Sequence, residues 1–277
     1  PAAAGRLASA THAIADAAEG DGTDPYDVAK AEALITAYDV RWADEPLEVI
    51  AVEAPFITDL VNPETGAASR TWKLGGVIDV IVRDPRDSRI YNVEHKTTSE
   101  DVSPGTDYWK RLKLDAQVSI YYAGSAALGH NVDGCLYDVI RKPGQRPLMA
   151  TPPEKRRLKK DGTPYADTRL EDETPEAYRD RIMEAIGADP GRYLVRDTVV
   201  RLEAEMHDGL LDAWQEAKKL RENQRLGRAP RNVDACVRYG RTCPFFAVCC
   251  GEASLDATRL YRITAHPNEE LEVSHDA

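Results

Sequence analysis

WKLGGVIDVIVRDPRDSRIYNVEHKT, residues 72–97, is the stretch on which the fold turns. Residues 72–82 and 90–97 are rich in Val and Ile and flank Asp84-Pro85-Arg86-Asp87-Ser88, a strong turn signal, so the segment predicts a β-hairpin. A hairpin folded about the midpoint between Arg86 and Asp87 sets Asp79 opposite Glu94, and facing residues on antiparallel strands have Cβ atoms roughly 5 Å apart. Glu94 and Lys96 lie two residues apart and so share one side of their strand, while His95 points away. Two carboxylates that close repel unless a cation lies between them. Hard oxygen ligands of this kind suit Mg²⁺ or Mn²⁺.

Outward from the hairpin, residues 7–19 and 26–40 read as helices separated by a turn-rich stretch, and 47–57 as a strand. Beyond it, 108–128 reads as one long amphipathic helix stopped by Gly129, and 135–140 as a fourth strand. A polar, Pro- and Lys-rich stretch follows to about residue 175. A helix at 175–186, a strand at 193–202 and a long helix at 203–226 come next. The expected organisation is a core over 1–140, an insertion over 141–202, a C-terminal helix with a cysteine segment over 203–262, and a polar tail over 263–277. Strands and helices in this order imply an α/β fold with a central mixed sheet flanked by helices.

A chain of 277 residues with 42% hydrophobic content can bury a good core. The sequence opens without a methionine and inside a helical pattern, which predicts further residues upstream. No apolar run is long enough to span a bilayer, and the first eighteen residues carry Arg6, His12 and Asp16, unlike a signal peptide. The expectation is a cytoplasmic protein without membrane partners. A net charge of −11 is unusual for a polyanion-binding chain, but its distribution is uneven. Residues 141–160 hold eight Lys or Arg against the single acid Glu154, and Lys218, Lys219, Arg221, Arg225, Arg228 and Arg231 form a second basic stretch. Either stretch read alone is equally a solvated surface.

Gly76-Val77-Ile78-Asp79 followed by Glu94-His95-Lys96-Thr97 resembles the signature of the PD-(D/E)XK nuclease superfamily. Gln117 and Tyr121, four apart and so on one helix face, resemble the Gln-x-x-x-Tyr element of its RecB-type branch, which includes phage exonucleases and iron–sulfur CRISPR adaptation nucleases. The resemblance covers about residues 7–140 and the cysteine segment. It implies a restriction-endonuclease-like core and metal-dependent hydrolysis of DNA, from an end rather than internally. Asp79, Glu94 and the backbone carbonyl of His95 would hold the metal, with His12 of the first helix as a further ligand. Lys96 would orient the attacking water or stabilise developing charge. Gln117 would position that water or the scissile phosphate, and Tyr121 would lie against the DNA backbone. Glu53 matches an acidic position that often precedes the Gly-x-x-Asp element.

Four of the five cysteines, Cys236, Cys243, Cys249 and Cys250, crowd into fifteen residues, which in a cytosolic chain favours metal over disulfide. The segment resembles the C-terminal cluster-binding segment of the iron–sulfur members. The resemblance implies that Cys236, Cys243 and Cys249 bind a [4Fe–4S] cluster; because no cysteine precedes Cys135, the fourth ligand lies upstream, or Cys250 serves, or no intact cluster forms. Structural zinc is the rival metal. Cys135, on an apolar strand, reads as a core residue. Partners implied by the same resemblance are DNA and proteins of recombination or CRISPR adaptation. Two other classes stay open: a DNA-binding or assembly module that keeps the fold without turnover, and an RNA- or nucleotide-directed hydrolase.

Overall fold

The computed structural model describes residues 3–19, 22–238, 240–263 and 271, so the tail expected from 263 onward lies almost wholly outside the described residues. In chain order the elements are α1 (Ala3–Glu19), α2 (Pro25–Arg41), β1 (Glu48–Val61), β2 (Ala68–Arg83), β3 (Ile90–Thr98), α3 (Asp107–Leu112), α4 (Ala116–Ala127), β4 (Gly134–Arg141), α5 (Pro175–Ala188), β5 (Leu194–Val199), α6 (Glu203–Leu226), β6 (Val237–Arg238), β7 (Arg241–Thr242) and α7 (Phe246–Cys250). The protein is α/β, with β1 to β5 forming one mixed sheet in sequence order. β2 and β3 pair antiparallel, β3 and β4 parallel, and β4 and β5 antiparallel. Among the described residues no helix is long and apolar enough to cross a membrane.

The chain divides into two compact units, 1–52 with 79–115 and 131–200, and 53–78 with 116–130 and 201–277. In the first, Ala29 and Ala33 of α2 pack against Tyr178, Ile182 and Ile186 of α5, all buried. Both helices start on matching local signals. The Asp24 carboxylate accepts from the Tyr26 N–H ahead of Pro25, and the Thr174 hydroxyl accepts from the Ala177 N–H ahead of Pro175. A buried polar cluster fastens α2 to the sheet. The Arg196 guanidinium of β5 donates to Asp138 of β4 at 2.8–2.9 Å, to the Tyr38 hydroxyl at 2.7 Å and to Glu45 at 3.2 Å. Its face lies 4.0 Å from the Trp42 ring centroid, and Tyr38 also donates to Asp138.

In the second unit, Leu60 and Leu74 of the sheet pack with Ala217 of α6, and Ile120 and Ala123 of α4 join them. Gly124 is needed here for space: a Cβ at this position would meet the buried Phe56 ring at about 2.5 Å.

The structure departs from the sequence expectation in two places. The helix expected over 108–128 is two helices, because Leu114 N–H bonds Arg111 C=O and Asp115 N–H bonds Leu112 C=O, tightening and ending α3 before α4 begins. β1 and β2 extend well past their expected ends, and a turn in which Asn62 N–H donates to Ala67 C=O joins them. Within 141–202 the expected helix and strand are α5 and β5, which pack with α2 and complete the sheet. The first half of the segment is a mostly exposed arm.

The root of that arm is held by Glu173, whose carboxylate accepts two bonds at 2.8 Å from Arg181 and one at 2.9 Å from the Leu148 N–H. Arg181 holds the Glu173 carboxyl below the usual value near 4.5, against the opposing effect of burial. A lowered carboxylate pKa stabilises the fold above the unfolded-state value and loses that contribution as pH falls through the folded value. Glu173→Gln is expected to cost about 2 kcal/mol at neutral pH, the figure for a broken buried pair reduced for the partial exposure of Arg181. The penalty should shrink on acidification below pH 4.5, and denaturant melts of both proteins across pH 3 to 7 measure it.

Candidate active site

The pairings Val80 with Val93, Ile81 with Asn92 and Val82 with Tyr91 give the register about the Arg86–Asp87 midpoint. One step further along, Asp79 comes opposite Glu94, and the Asp79 Oδ2 accepts from the His95 N–H at 2.9 Å. The turn itself is closed by Asp84, whose N–H donates to Arg89 C=O and whose carboxylate takes the Arg86 guanidinium.

Glu94 is 2% exposed. Its Oε1 is ion-paired with Lys96, and its Oε2 is buried with no hydrogen-bond partner among the described residues. Burial raises the Glu94 pKa above the ordinary glutamate value, the Lys96 ammonium pulls it back, and the negative charges of Asp79 and Asp115 push it up again. A buried carboxylate oxygen without a donor is costly and calls for a cation or a donor to complete it.

Asp115 is the residue that sequence reasoning missed. Tyr137 of β4 stands beside Glu94 in the parallel register, is fully buried, and donates its hydroxyl to Asp115 at 3.1 Å. Burial, reinforced by the charge of Asp115, pushes the Tyr137 phenol far above its ordinary value, so it remains a donor. A third carboxylate therefore stands near Glu94. Its signal in the sequence was its position one residue ahead of a helix, where Asp commonly serves as a cap. Cys135, on the same strand face as Tyr137, is buried in the core as its apolar setting predicted.

Val80, Val82, Val93 and His95 alternate with the residues facing Glu94 and belong to the other face of the sheet. There, with Leu47, Trp42 and Arg196, they line a cavity of about 230 Å³. His95 thus joins the faces: its backbone N–H holds Asp79 and its side chain lines the cavity.

The other candidate residues make contacts of their own. His12 pairs locally, its Nε2 being 3.4 Å from Asp16 one turn on. Glu53 lies in the second unit at φ +45°, an uncommon conformation for a non-glycine residue and here a kink within β1. Gln117 and Tyr121 also belong to the second unit. Gln117 Nε2 donates to the Tyr121 hydroxyl at 2.8 Å, and the Tyr121 ring meets Phe56 edge to face. Cys236 and Cys243 face each other at the base of the β6–β7 hairpin, with Cys243 N–H donating to Cys236 C=O at 2.9 Å, while Cys249 and Cys250 end α7. All five cysteines are free, and among the described residues no three His, Cys, Asp or Glu side chains stand gathered as around a metal ion.

No family model matches this chain, and no curated protein does. Among solved structures it is similar to the crystal structure of SSO0001, at 14% identity and a TM-score of 0.35 over 90% of this chain and 81% of that one.

Tyr137→Phe keeps the ring and removes only the bond to Asp115. The expected cost is about 1 kcal/mol, the usual net worth of one such bond, because Asp115 is part-exposed and regains water. The shift in urea midpoint measures it. A loss several times larger would mean that Asp115 organises more of the site than this one contact.

Proposed function

We propose that this chain is a metal-dependent nuclease that hydrolyses DNA phosphodiester bonds, working from an end rather than internally, on a restriction-endonuclease-like core. The observation that carries the reading is the buried Glu94 oxygen without a partner among the described residues, opposite Asp79 and on the strand face of Lys96. The oxygen donors fit Mg²⁺ or Mn²⁺, which Asp79, Glu94 and the His95 carbonyl would hold. Such an ion, when bound, polarises a phosphodiester oxygen and acidifies a water. The chain's own residues contribute the rest. The His95 N–H fixes the Asp79 carboxylate in place. Lys96, now paired with Glu94, is positioned to turn its ammonium toward the attacking water or the developing phosphate charge. Burial around Glu94 keeps bulk water from screening these charges.

The cysteine segment is proposed as a metal-held staple. Thiolates favour soft metals, and Cys236 and Cys243 already face each other across the hairpin. Cys236, Cys243 and Cys249 would hold an iron–sulfur cluster, with Cys250 or an upstream residue as fourth ligand.

Labelled single- and double-stranded DNA incubated with Mg²⁺, Mn²⁺ or chelator tests the activity. Asp79→Ala is expected to abolish cleavage while DNA binding persists. Lys96→Arg keeps the charge but cannot be deprotonated and is bulkier, so cleavage should fall at least about a hundredfold, the scale of one positioned catalytic group. Metal-dependent cleavage retained by Asp79→Ala would sink the assignment.

The staple has its own test. Freshly purified protein should be brown and contain iron and sulfide, and Cys243→Ser should lose both colour and thermal stability. Stoichiometric zinc in colourless protein would replace the cluster with a zinc staple. Absence of both metals, with Cys243→Ser unchanged, would remove the staple.

A further inference from the structure

We propose that residues 142–173 form an arm that grips the phosphate backbone of a nucleic acid without reading its sequence. The identity of the polyanion rests on the nuclease reading. The residues that would bind it are separate from the site.

The charge distribution is the first ground. Residues 142–173 hold eight Lys or Arg and six Asp or Glu in a chain whose net charge is −11, and five of the eight fall in residues 155–160, where there is no acid. The second ground is that the arm is built rather than loose. Thr151 N–H bonds Arg169 C=O at 2.8 Å, Arg169 N–H bonds the Thr151 hydroxyl, and Tyr165 N–H bonds Arg157 C=O. Leu158 and Pro164 form a bridge, and Lys159 N–H bonds Thr163 C=O at 2.8 Å. The tip turns at Gly162, φ +82°, where the Asp161 carboxylate accepts from Thr163. This is an ordered hairpin with Lys159 and Lys160 at its end.

The third ground is which cations are committed. Arg156 donates to the carbonyls of Thr151 and Leu170, and Arg157 pairs with Asp167 and lies over the Tyr165 ring at 5.0 Å. Lys155, Lys159 and Lys160 are exposed and form no ion pair among the described residues. The planar forks of Arg156 and Arg157 are engaged inside the arm, and the compact point charges of Lys155, Lys159 and Lys160 are presented outward. That division favours phosphate over base recognition. Along α6, by contrast, Lys219 and Arg225 pair with Glu216 and Glu222 of their own helix.

Placement is the fourth ground. β3 and β4 run parallel, Lys96 is level with Val139 and Thr98 with Arg141, and Lys142 N–H bonds Thr98 C=O at 2.7 Å. The arm therefore leaves the sheet at the strand end two residues past Lys96, about 7 Å along the strand. A polyanion held by the arm runs toward that end of the sheet. Exposed Leu158, between Lys155 and Lys159, suits the sugars of a strand.

The test is the salt dependence of binding, read by anisotropy with labelled oligonucleotides in chelator, so that nothing is cut. The full chain is compared with the variant Lys155→Ala/Lys159→Ala/Lys160→Ala, after circular dichroism confirms that both are folded. If each lysine neutralises one phosphate, the log–log salt slope falls by about 2 to 3, at roughly 0.9 per contact on duplex and 0.7 on single strands. Between about 50 and 200 mM salt, the variant should then lose about 20- to 40-fold less affinity than the parent. Lys218→Ala/Lys219→Ala/Arg221→Ala should leave the slope unchanged. An unchanged slope in the arm variant overturns the proposal, and so does a parent that binds phosphatidylserine vesicles and no nucleic acid. The two readings fail separately. Arm-dependent binding with no cleavage in Mg²⁺ or Mn²⁺ removes the nuclease alone, and cleavage with an unchanged slope removes the arm alone.

Discussion

The register of β2 against β3 is the constraint on which the rest depends. Because side chains alternate along a strand, the pairing of Val80 with Val93 decides at once what each face of the sheet carries. On one face Asp79 and Glu94 are opposed. On the other, Val80, Val82 and Val93 line a cavity. A slip of one residue would expose the valines and scatter the carboxylates. The short turn from Asp84 to Arg89, closed by its own backbone bond and by Arg86 on Asp84, prevents that slip.

Each face of the sheet buries charge. Around Arg196 the guanidinium donates to Asp138, Tyr38 and Glu45 with an aromatic ring beneath it, while Asp138 Oδ1 and Trp42 Nε1 are buried with no hydrogen-bond partner among the described residues. Around Glu94 the setting is acidic. One oxygen meets Lys96, the other meets nothing among the described residues, and two further acids stand close enough to raise its pKa. Stable folds tolerate few such groups, and those they keep tend to mark function. The gathering of acids around Glu94, with Lys96 beside it, supports placing the proposed chemistry there.

Much of this was legible in the sequence because the relevant contacts are local. The 72–97 hairpin closes through a short symmetrical turn, so counting from its midpoint sufficed to oppose Asp79 and Glu94. The helices expected at 26–40 and 175–186 start at Pro25 and Pro175, behind caps at Asp24 and Thr174 that are local in sequence. What escaped depends on distant pairing. Nothing in the spacing of Glu94 and Tyr137 says that they lie side by side in a parallel pair, so the Tyr137–Asp115 bond could not be foreseen. The break at 113–115 was hidden because the apolar periodicity runs on through it. Arg196 was unreadable for a different reason: arginine is rarely buried, and only its partners in α2 and β4 make that position tenable.

The Arg196 cluster also bears on how this chain can change over generations. Replacing Arg196 alone would strand the Asp138 carboxylate in the interior, and replacing Asp138 alone would strand the guanidinium, either being far more damaging than losing both together. Tyr38 is bound to each and cannot be altered independently of them. Positions 38, 138 and 196 therefore behave as one heritable unit. Drift at any one of them meets a valley that only a concerted exchange, to a well-packed apolar set of similar volume, can cross. Libraries that vary these positions one at a time would score each as immutable, while a combinatorial library would find the set replaceable.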